Sequence, residues 1–396
     1  MEQRQGQRST SSTFAVAAAI CLAVAVSLLV LGAGSTVAAK GRNHHHHRHH
    51  HSGVHVPREF LGVLSGPTPF DPTDAAKIKR TGVKTVRIGL PWLSVQRVRG
   101  PFDWAGSDRM IARLAANGIH ILPTLAGTPR WIATPGTTPP LMNEAAQEAW
   151  QTFVTAAVRR YGDDGTFWRP SPGSTSPFHL ECGCDARPVP ITAWQIWNEP
   201  NLRKYFRPKS PKQYAKLVKL SRTAINQADS TAKLVLAGLA DGGDPGKPGA
   251  IPYLKSFYRI PGIKQSFDVL AIHPYARNVD NLRRVMKRFR SVMTKKHDKQ
   301  TPLWVTEMGW GSGHPTRYGH TKGIRGQRKI LQKSIELLAE KRKTWRVQHA
   351  YWFFWRDPKT TGHLSCSFCT SAGLLRQDRR PKPAYRAFKR LANSAR

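Results

Sequence analysis

The stretch Ile191-Thr-Ala-Trp-Gln-Ile-Trp-Asn-Glu-Pro-Asn-Leu202 decides how this chain is read. Residues Ile191 to Trp197 are largely β-branched, aromatic or apolar, which suits a short strand covered on both faces. Pro200 has no N–H to continue a ladder, so the strand stops with Asn198 and Glu199 at its end. A carboxylate is thus delivered to the mouth of a sheet, where an ionised Glu needs a partner or a task. Strict alternation would send Asn198 and Glu199 to opposite faces. Both can point one way only if the strand bulges or ends there.

Working outward, strands alternate with helical patterns from Arg58 onward, the signature of parallel βα units. Strands are predicted at Phe60–Leu64, Val83–Leu90, Ile119–Leu125, Ile191–Trp197, Leu234–Leu239, Phe267–Tyr275, Pro302–Glu307 and Gln348–Trp355. Between them lie amphipathic stretches, of which the clearest places Trp150, Phe153, Val154, Ala157, Val158 and Tyr161 on one helical face. Gly162 to Pro190 is rich in Gly, Ser and Pro and reads as a long loop. Eight such units predict an α/β fold, a single (β/α)8 TIM barrel with its chemistry at the C-terminal ends of the strands. An open doubly wound sheet is the alternative, and no Gly-rich phosphate loop follows an early strand to favour it.

A second strand repeats the opening pattern. Pro302-Leu-Trp-Val-Thr-Glu-Met-Gly-Trp310 runs an apolar segment into Glu307, and Gly309 then turns the chain. A lone strand-end Glu is an ordinary solvated or capping residue. Two of them, each beside tryptophan, match the needs of glycosidic bond cleavage: a proton donor, a nucleophile and aromatic faces for sugar rings.

Trp-Asn-Glu-Pro-Asn and Trp-Val-Thr-Glu-Met-Gly-Trp resemble the acid/base and nucleophile strands of clan A retaining glycoside hydrolases, of the family 39 and family 5 types. The resemblance runs from about Phe60 onward. It implies Glu199 as acid/base and Glu307 as nucleophile, with carboxyl groups facing each other about 5–5.5 Å apart. It implies that Arg87, a charge within an apolar strand, supports the nucleophile, and that Asn198 binds the sugar 2-hydroxyl. His273 and Tyr275 match the family 5 His-x-Tyr, with the tyrosine holding the nucleophile. Trp310 and Trp355, at strand ends, are expected to be sugar platforms, with Trp92 and Trp131 as weaker candidates. Trp194 and Trp352 are expected to be packing. Neither metal nor organic cofactor is required, and the expected partner is an oligo- or polysaccharide.

The chain has 396 residues, with 62 Lys and Arg against 24 Asp and Glu, a net charge of +38. Such a field attracts polyanions, so an acidic glycan substrate or a basic cell-wall binding protein without turnover are both open, as is a plain arginine-rich surface. No helix–turn–helix, zinc-finger or stacking-platform signature accompanies the charge, so specific nucleic-acid recognition is not expected.

Residues 1–39 hold a nearly uncharged run, Phe14 to Gly34, after Arg4 and Arg8, with Val37-Ala38-Ala39 suited to cleavage. This is expected to be a signal peptide, with an uncleaved membrane anchor as the rival. Residues 40–57, including His44 to His51, read as a His-rich linker, and 58–396 as the catalytic domain. A secreted or cell-surface location follows. Cys182, Cys184, Cys366 and Cys369 are then expected to be disulfide-linked, locally or between the two clusters, with a structural zinc site as the alternative.

Overall fold

A computed structural model describes residues 54–241, 249–316, 319–359, 366 and 368–394. The expected leader, the His tract, and most of the loop predicted between Asp241 and Ala250 lie outside the described residues.

The strands are β1 (Leu61–Leu64), β2 (Thr85–Pro91), β3 (His120–Ala126), β4 (Ala193–Ile196), β5 (Lys233–Leu236), β6 (Leu239–Ala240), β7 (Leu270–His273), β8 (Leu303–Met308) and β9 (Val347–Trp352). They form one parallel sheet in the order β5-β4-β3-β2-β1-β9-β8-β7-β6. The two ends belong to one barrel position, because β5 and β6 are consecutive pieces of the predicted fifth strand. A parallel bridge between Val235 and Val269 and the Leu236 N–H to Val269 carbonyl bond (2.9 Å) bring β5 against β7. The fold is therefore the expected TIM barrel. The break between β5 and β6 has a local cause. A Cβ at Gly238 would lie 2.0 Å from His273 Nε2, so the chain gives way to an imidazole there.

Helices pack outside the strands and begin where the sequence supplies caps. The Asp71 side chain accepts from the Asp74 amide and Asp74 reciprocates, with Pro72 in the first turn of Pro72–Thr81. Ser210 caps Pro211–Ala228, and Asn143 and Asn278 cap Glu144–Tyr161 and Val279–Lys295. All six residues expected on the buried face of the helix Glu144–Tyr161 are buried. The predicted loop Gly162–Pro190 differs from its reading, since it contains a short helix, Pro177–Cys182, capped by Ser176. Phe167, Trp168 and Phe178 pack edge-on beneath it and give the segment its own apolar anchor.

Strand parity divides the core into two layers. Val86, Ile88, Trp194, Ile196, Leu270, Ile272, Val305 and Trp352 face the helices. Leu64, Leu122, Ala193, Val235, Ala271, Trp304 and Tyr351 fill the barrel interior. The polar residues of the site continue this inner layer toward the C-terminal ends.

Cys182 is bonded to Cys184 and Cys366 to Cys369, so both pairs are local and the two clusters are not joined. Among the described residues no helix is long and apolar enough to cross a membrane.

Candidate active site

Arg87 lies on the inward face of β2 and is 4% exposed. Each of its three nitrogens donates. Nε donates to Gln195 Oε1 (2.5 Å), Nη1 to Glu307 Oε1 (2.6 Å) and Nη2 to Asn198 Oδ1 (2.9 Å). One cation therefore links β2, the end of β4 and β8, which is how a buried guanidinium is tolerated. Gly89, the next position of the same parity, is exposed and leaves the space above Arg87 without a side chain.

Glu307 is held at both oxygens, by Arg87 at Oε1 and by the Tyr275 hydroxyl at Oε2 (2.6 Å). It reaches the interior through an irregularity in β8. Val305 pairs with Ala350 and Met308 with Trp352, so three steps on β8 oppose two on β9. That bulge turns two successive side chains, Thr306 and Glu307, to the same face.

Glu199 arrives by a different route. β4 ends at Ile196, and Trp197 and Glu199 both have positive φ, at 71° and 41°. The strand ends, and Asn198 and Glu199 both point inward. Backbone in this region is costly for side chains of this size and persists because the surroundings impose it. Trp197 is anchored by its indole N–H to the Tyr205 carbonyl (2.7 Å), and Tyr214 accepts from Ala237 N–H (2.6 Å) while donating to the Ile196 carbonyl (2.9 Å). Glu199 Oε1 lies 2.7 Å from His273 Nδ1. Its Oε2 is buried without a hydrogen-bonding partner among the described residues.

His273 and Tyr275 share the inner face of β7 and its end, two residues apart. The His273 ring is fully buried between Glu199 and Thr306, whose hydroxyl is 3.0 Å from Nε2. One oxygen from each glutamate and a ring nitrogen of His273 lie within 4.8 Å of one another. A metal could in geometry sit among three such atoms. Here Arg87 already supplies the positive charge and both Glu307 oxygens are bonded to donors, so the set suits proton transfer.

Burial raises both carboxyl pKa values, but not equally. Glu199 is pushed well above the usual carboxylate range by desolvation and by the Glu307 charge, with Arg87 and Lys204 opposing. Glu307 is raised by burial and pulled back by Arg87 and by the Tyr275 bond. The surroundings therefore favour the proton of the pair on Glu199 and the charge on Glu307. Burial and the Arg87 charge push His273 far down, so its ring is neutral.

Six of the residues expected from sequence are thus brought together: Arg87, Asn198, Glu199, His273, Tyr275 and Glu307. Trp310 and Trp355 are not among them, which corrects their expected role as sugar platforms. Both belong to the helix-facing layer. Trp310 is fully buried with its indole bonded to the Ala276 carbonyl (2.6 Å), and Trp355 bonds Asp74 Oδ1 (3.0 Å). Both lie beyond the last residues of β8 and β9, where the chain leaves the strands and turns these side chains to the helix side. Trp92 is also buried, and Trp131 packs edge-on against it with its N–H on the Gln96 carbonyl. Trp194 and Trp352 are packing, as expected.

The aromatics around the site are others. Tyr275 packs against Phe353 (5.9 Å) and Phe368 (5.5 Å), and Phe368 sits within the Cys366–Cys369 loop. A cleft bounded by Gly127, Gly136, Thr137, Trp197 and Tyr205 opens beside Asn198. Sequence reasoning also missed Gln195 and Thr306. A polar residue at inward parity between Trp194 and Ile196 was the available signal for the first.

Residues 185–377 match the family described as glycosyl hydrolase catalytic core, and residues 70–154 match one described as beta-galactosidase. A beta-xylosidase of Caldicellulosiruptor saccharolyticus is 26% identical over 208 residues, 50% of this chain and 40% of its own length. The chain therefore spans well under half of that curated relative. A family 39 glycoside hydrolase from Bacteroides cellulosilyticus WH2 superposes with a TM-score of 0.60 at 21% identity, over 85% of this chain and 63% of its own. A monomeric beta-xylosidase from Caulobacter crescentus CB15 gives 0.60 at 18%, over 86% and 69%. At these identities the superpositions establish the fold. Residues 185–377 are thus similar to a glycosyl hydrolase catalytic core, on a TIM barrel shared with these glycoside hydrolases.

Proposed function

We propose that the chain is an exported glycosidase that cleaves β-glycosidic bonds with retention of configuration. Glu199 protonates the leaving oxygen while Glu307 attacks the anomeric carbon. Glu199 then takes a proton from the water that releases the sugar. The observation that carries this reading is the asymmetry of the pair. Glu307 is held by a donor at each oxygen, whereas among the described residues Glu199 has one oxygen without a partner and the stronger upward push on its pKa. One oxygen of each glutamate lies within 4.8 Å of the other, which supports the close spacing of a retaining pair.

Asn198 would bind the 2-hydroxyl, and Tyr275 with Arg87 would keep the nucleophile aligned. The names of the relatives favour β-xyloside and β-galactoside substrates. Export is supported by the apolar run Phe14–Gly34 and by two cysteine pairs, which persist in oxidising compartments.

The test is a 2-deoxy-2-fluoro aryl glycoside from a β-glycoside panel, followed by peptide mass spectrometry. Accumulated sugar on Glu307, with product of retained configuration for normal substrates, supports the proposal. Inverted product, or label elsewhere, removes it.

A second reading is a glycan-binding barrel without turnover, drawn to acidic polymers. It is favoured by the segment after Glu199, where Arg203, Lys204, Arg207 and Lys209 occur with no acidic residue before Ser210. Salt-sensitive binding of a uronic-acid polymer without release of reducing ends would support it. Cleavage of that polymer would instead make these cations part of substrate selection.

A further inference from the structure

The hydroxyl of Thr306 lies between Gln195 and His273, and the mechanism above does not use it. We propose that Thr306 is a positioning residue: it sets the tautomer of His273 and thereby places the acid proton on Oε2 of Glu199. This rests on Glu199 being the acid.

The hydrogens can be assigned from one end of the chain of bonds. A guanidinium only donates, so Arg87 Nε, at 2.5 Å, must face the oxygen of the Gln195 amide. The same oxygen accepts from the Thr124 hydroxyl at 3.1 Å. Gln195 Nε2 is therefore the donor, to the Leu236 carbonyl (3.0 Å) and to Thr306 Oγ1 (3.3 Å). The Thr306 hydroxyl, having accepted, still has its own hydrogen, and His273 Nε2 stands 3.0 Å away.

The opposite arrangement, with Nε2–H donating, would leave a hydroxyl hydrogen unmatched on a side chain that is fully buried. Nε2 accepts, and a neutral imidazole then carries its hydrogen on Nδ1. Nδ1–H faces Glu199 Oε1 at 2.7 Å, so Oε1 is an acceptor and the carboxylic proton belongs on Oε2. Oε2 is the oxygen without a partner among the described residues. In the first step that proton passes to the glycosidic oxygen as the C1–O bond breaks and Glu307 bonds to C1. The carboxylate left behind keeps the Nδ1–H bond. In the second step Oε2 takes a proton back from water as the water oxygen bonds to C1 and the Glu307–C1 bond breaks.

The tautomer can be read directly. The ring nitrogen shifts of His273 in 15N-labelled intact enzyme, assigned by comparison with His273→Gln, should report the Nδ1–H form. An Nε2–H form overturns the proposal. Kinetics supply a second test with Thr306→Val, which keeps the β-branch, and Thr306→Ser, which keeps the hydroxyl. Without the hydroxyl the ring is free to take the Nε2–H form, and Nδ1 then draws the acid proton onto Oε1.

For Thr306→Val, kcat/KM on an alkyl β-glycoside should fall about ten- to a hundredfold, while a dinitrophenyl glycoside, which needs no acid, should stay within about threefold. The alkaline limb of the alkyl-glycoside profile should move to higher pH, because the neutral acid gains an acceptor and its anion loses a donor. Thr306→Ser should restore both features. Equal losses on both substrates, an unmoved limb or failure of the serine to rescue would assign Thr306 a packing role alone. Failure of the underlying reading looks different: Glu199→Gln would then keep full activity on the alkyl glycoside whatever the tautomer.

Discussion

The ends of β4 and β8 carry similar sequences and deliver the same functional group, yet they do so by different geometry. Glu307 remains inside its strand, turned inward by a bulge and held by Arg87 and Tyr275. Glu199 lies three residues beyond its strand, on backbone with positive φ, and among the described residues is bonded at one oxygen only. On the proposed roles, the carboxylate that must stay charged and aligned is the one held at both oxygens. The one that must give and regain a proton is the one with an oxygen left over among the described residues. The chemistry of the two residues is set by these surroundings and not by the residue type.

The largest effect expected from this contrast is at Glu307. Glu307→Gln should lose roughly 10⁴-fold or more of kcat on every substrate, because no acidity of the leaving group replaces a nucleophile. Single-turnover rates across a series of aryl glycosides check this. Residual activity that rises with phenol acidity would mean the two roles are exchanged.

Glu199→Gln sharpens the contrast from the other side. Its loss should be about 10²- to 10⁴-fold for alkyl glycosides and should shrink steadily as the leaving phenol becomes more acidic. Deglycosylation also needs Glu199 as base, so the activated substrates should show a burst followed by a slow steady state. Added azide should speed that second phase. A flat dependence on leaving group would remove Glu199 as the acid.

Arg87→Met tests whether the grip on Glu307 is electrostatic. Removing the cation leaves a buried carboxylate without its charge partner, so the Glu307 pKa rises. The acid limb of kcat/KM, which reports ionisation of the nucleophile in the free enzyme, should therefore move to higher pH. Stability should fall by about 3–5 kcal/mol in denaturant unfolding. An unshifted limb would mean Arg87 only joins strands.

The smallest effect is expected outside the barrel. Trp355→Phe removes the indole bond to Asp74 while keeping most of the packing. It should cost about 1–2 kcal/mol of stability and leave KM unchanged for all substrates. A KM increase without a stability loss would return Trp355 to the site.

Much of this site was legible without coordinates. Arg87 was conspicuous as a charge inside an apolar strand, and the two glutamates as carboxylates at the ends of others. His273 and Tyr275, two apart, fall on one face of a strand by alternation alone. The tryptophans were misjudged because proximity to a strand end says nothing about which face a side chain takes. Trp310 and Trp355 lie on the helix side, where their indoles bond Ala276 and Asp74. Gln195 was overlooked as a single polar residue in an apolar run, and Thr306 because alternation would turn it away from Glu307 beside it.

By itself, the sequence determined the alternation of strands and helices, their caps, the residue types available for chemistry and the strands that carry them. These depend on contacts a few residues apart: periodicity, a capping side chain, a proline that cannot donate. Tertiary structure alone decided that β8 bulges so that Thr306 and Glu307 share a face, and that Gly238 yields to His273. It also decided that one guanidinium spans three elements and that burial pushes the Glu199 carboxyl up further than that of Glu307, which Arg87 and Tyr275 pull back. Each of these depends on groups brought together from positions far apart in the chain, and on the water excluded between them. A local pattern carries no record of either.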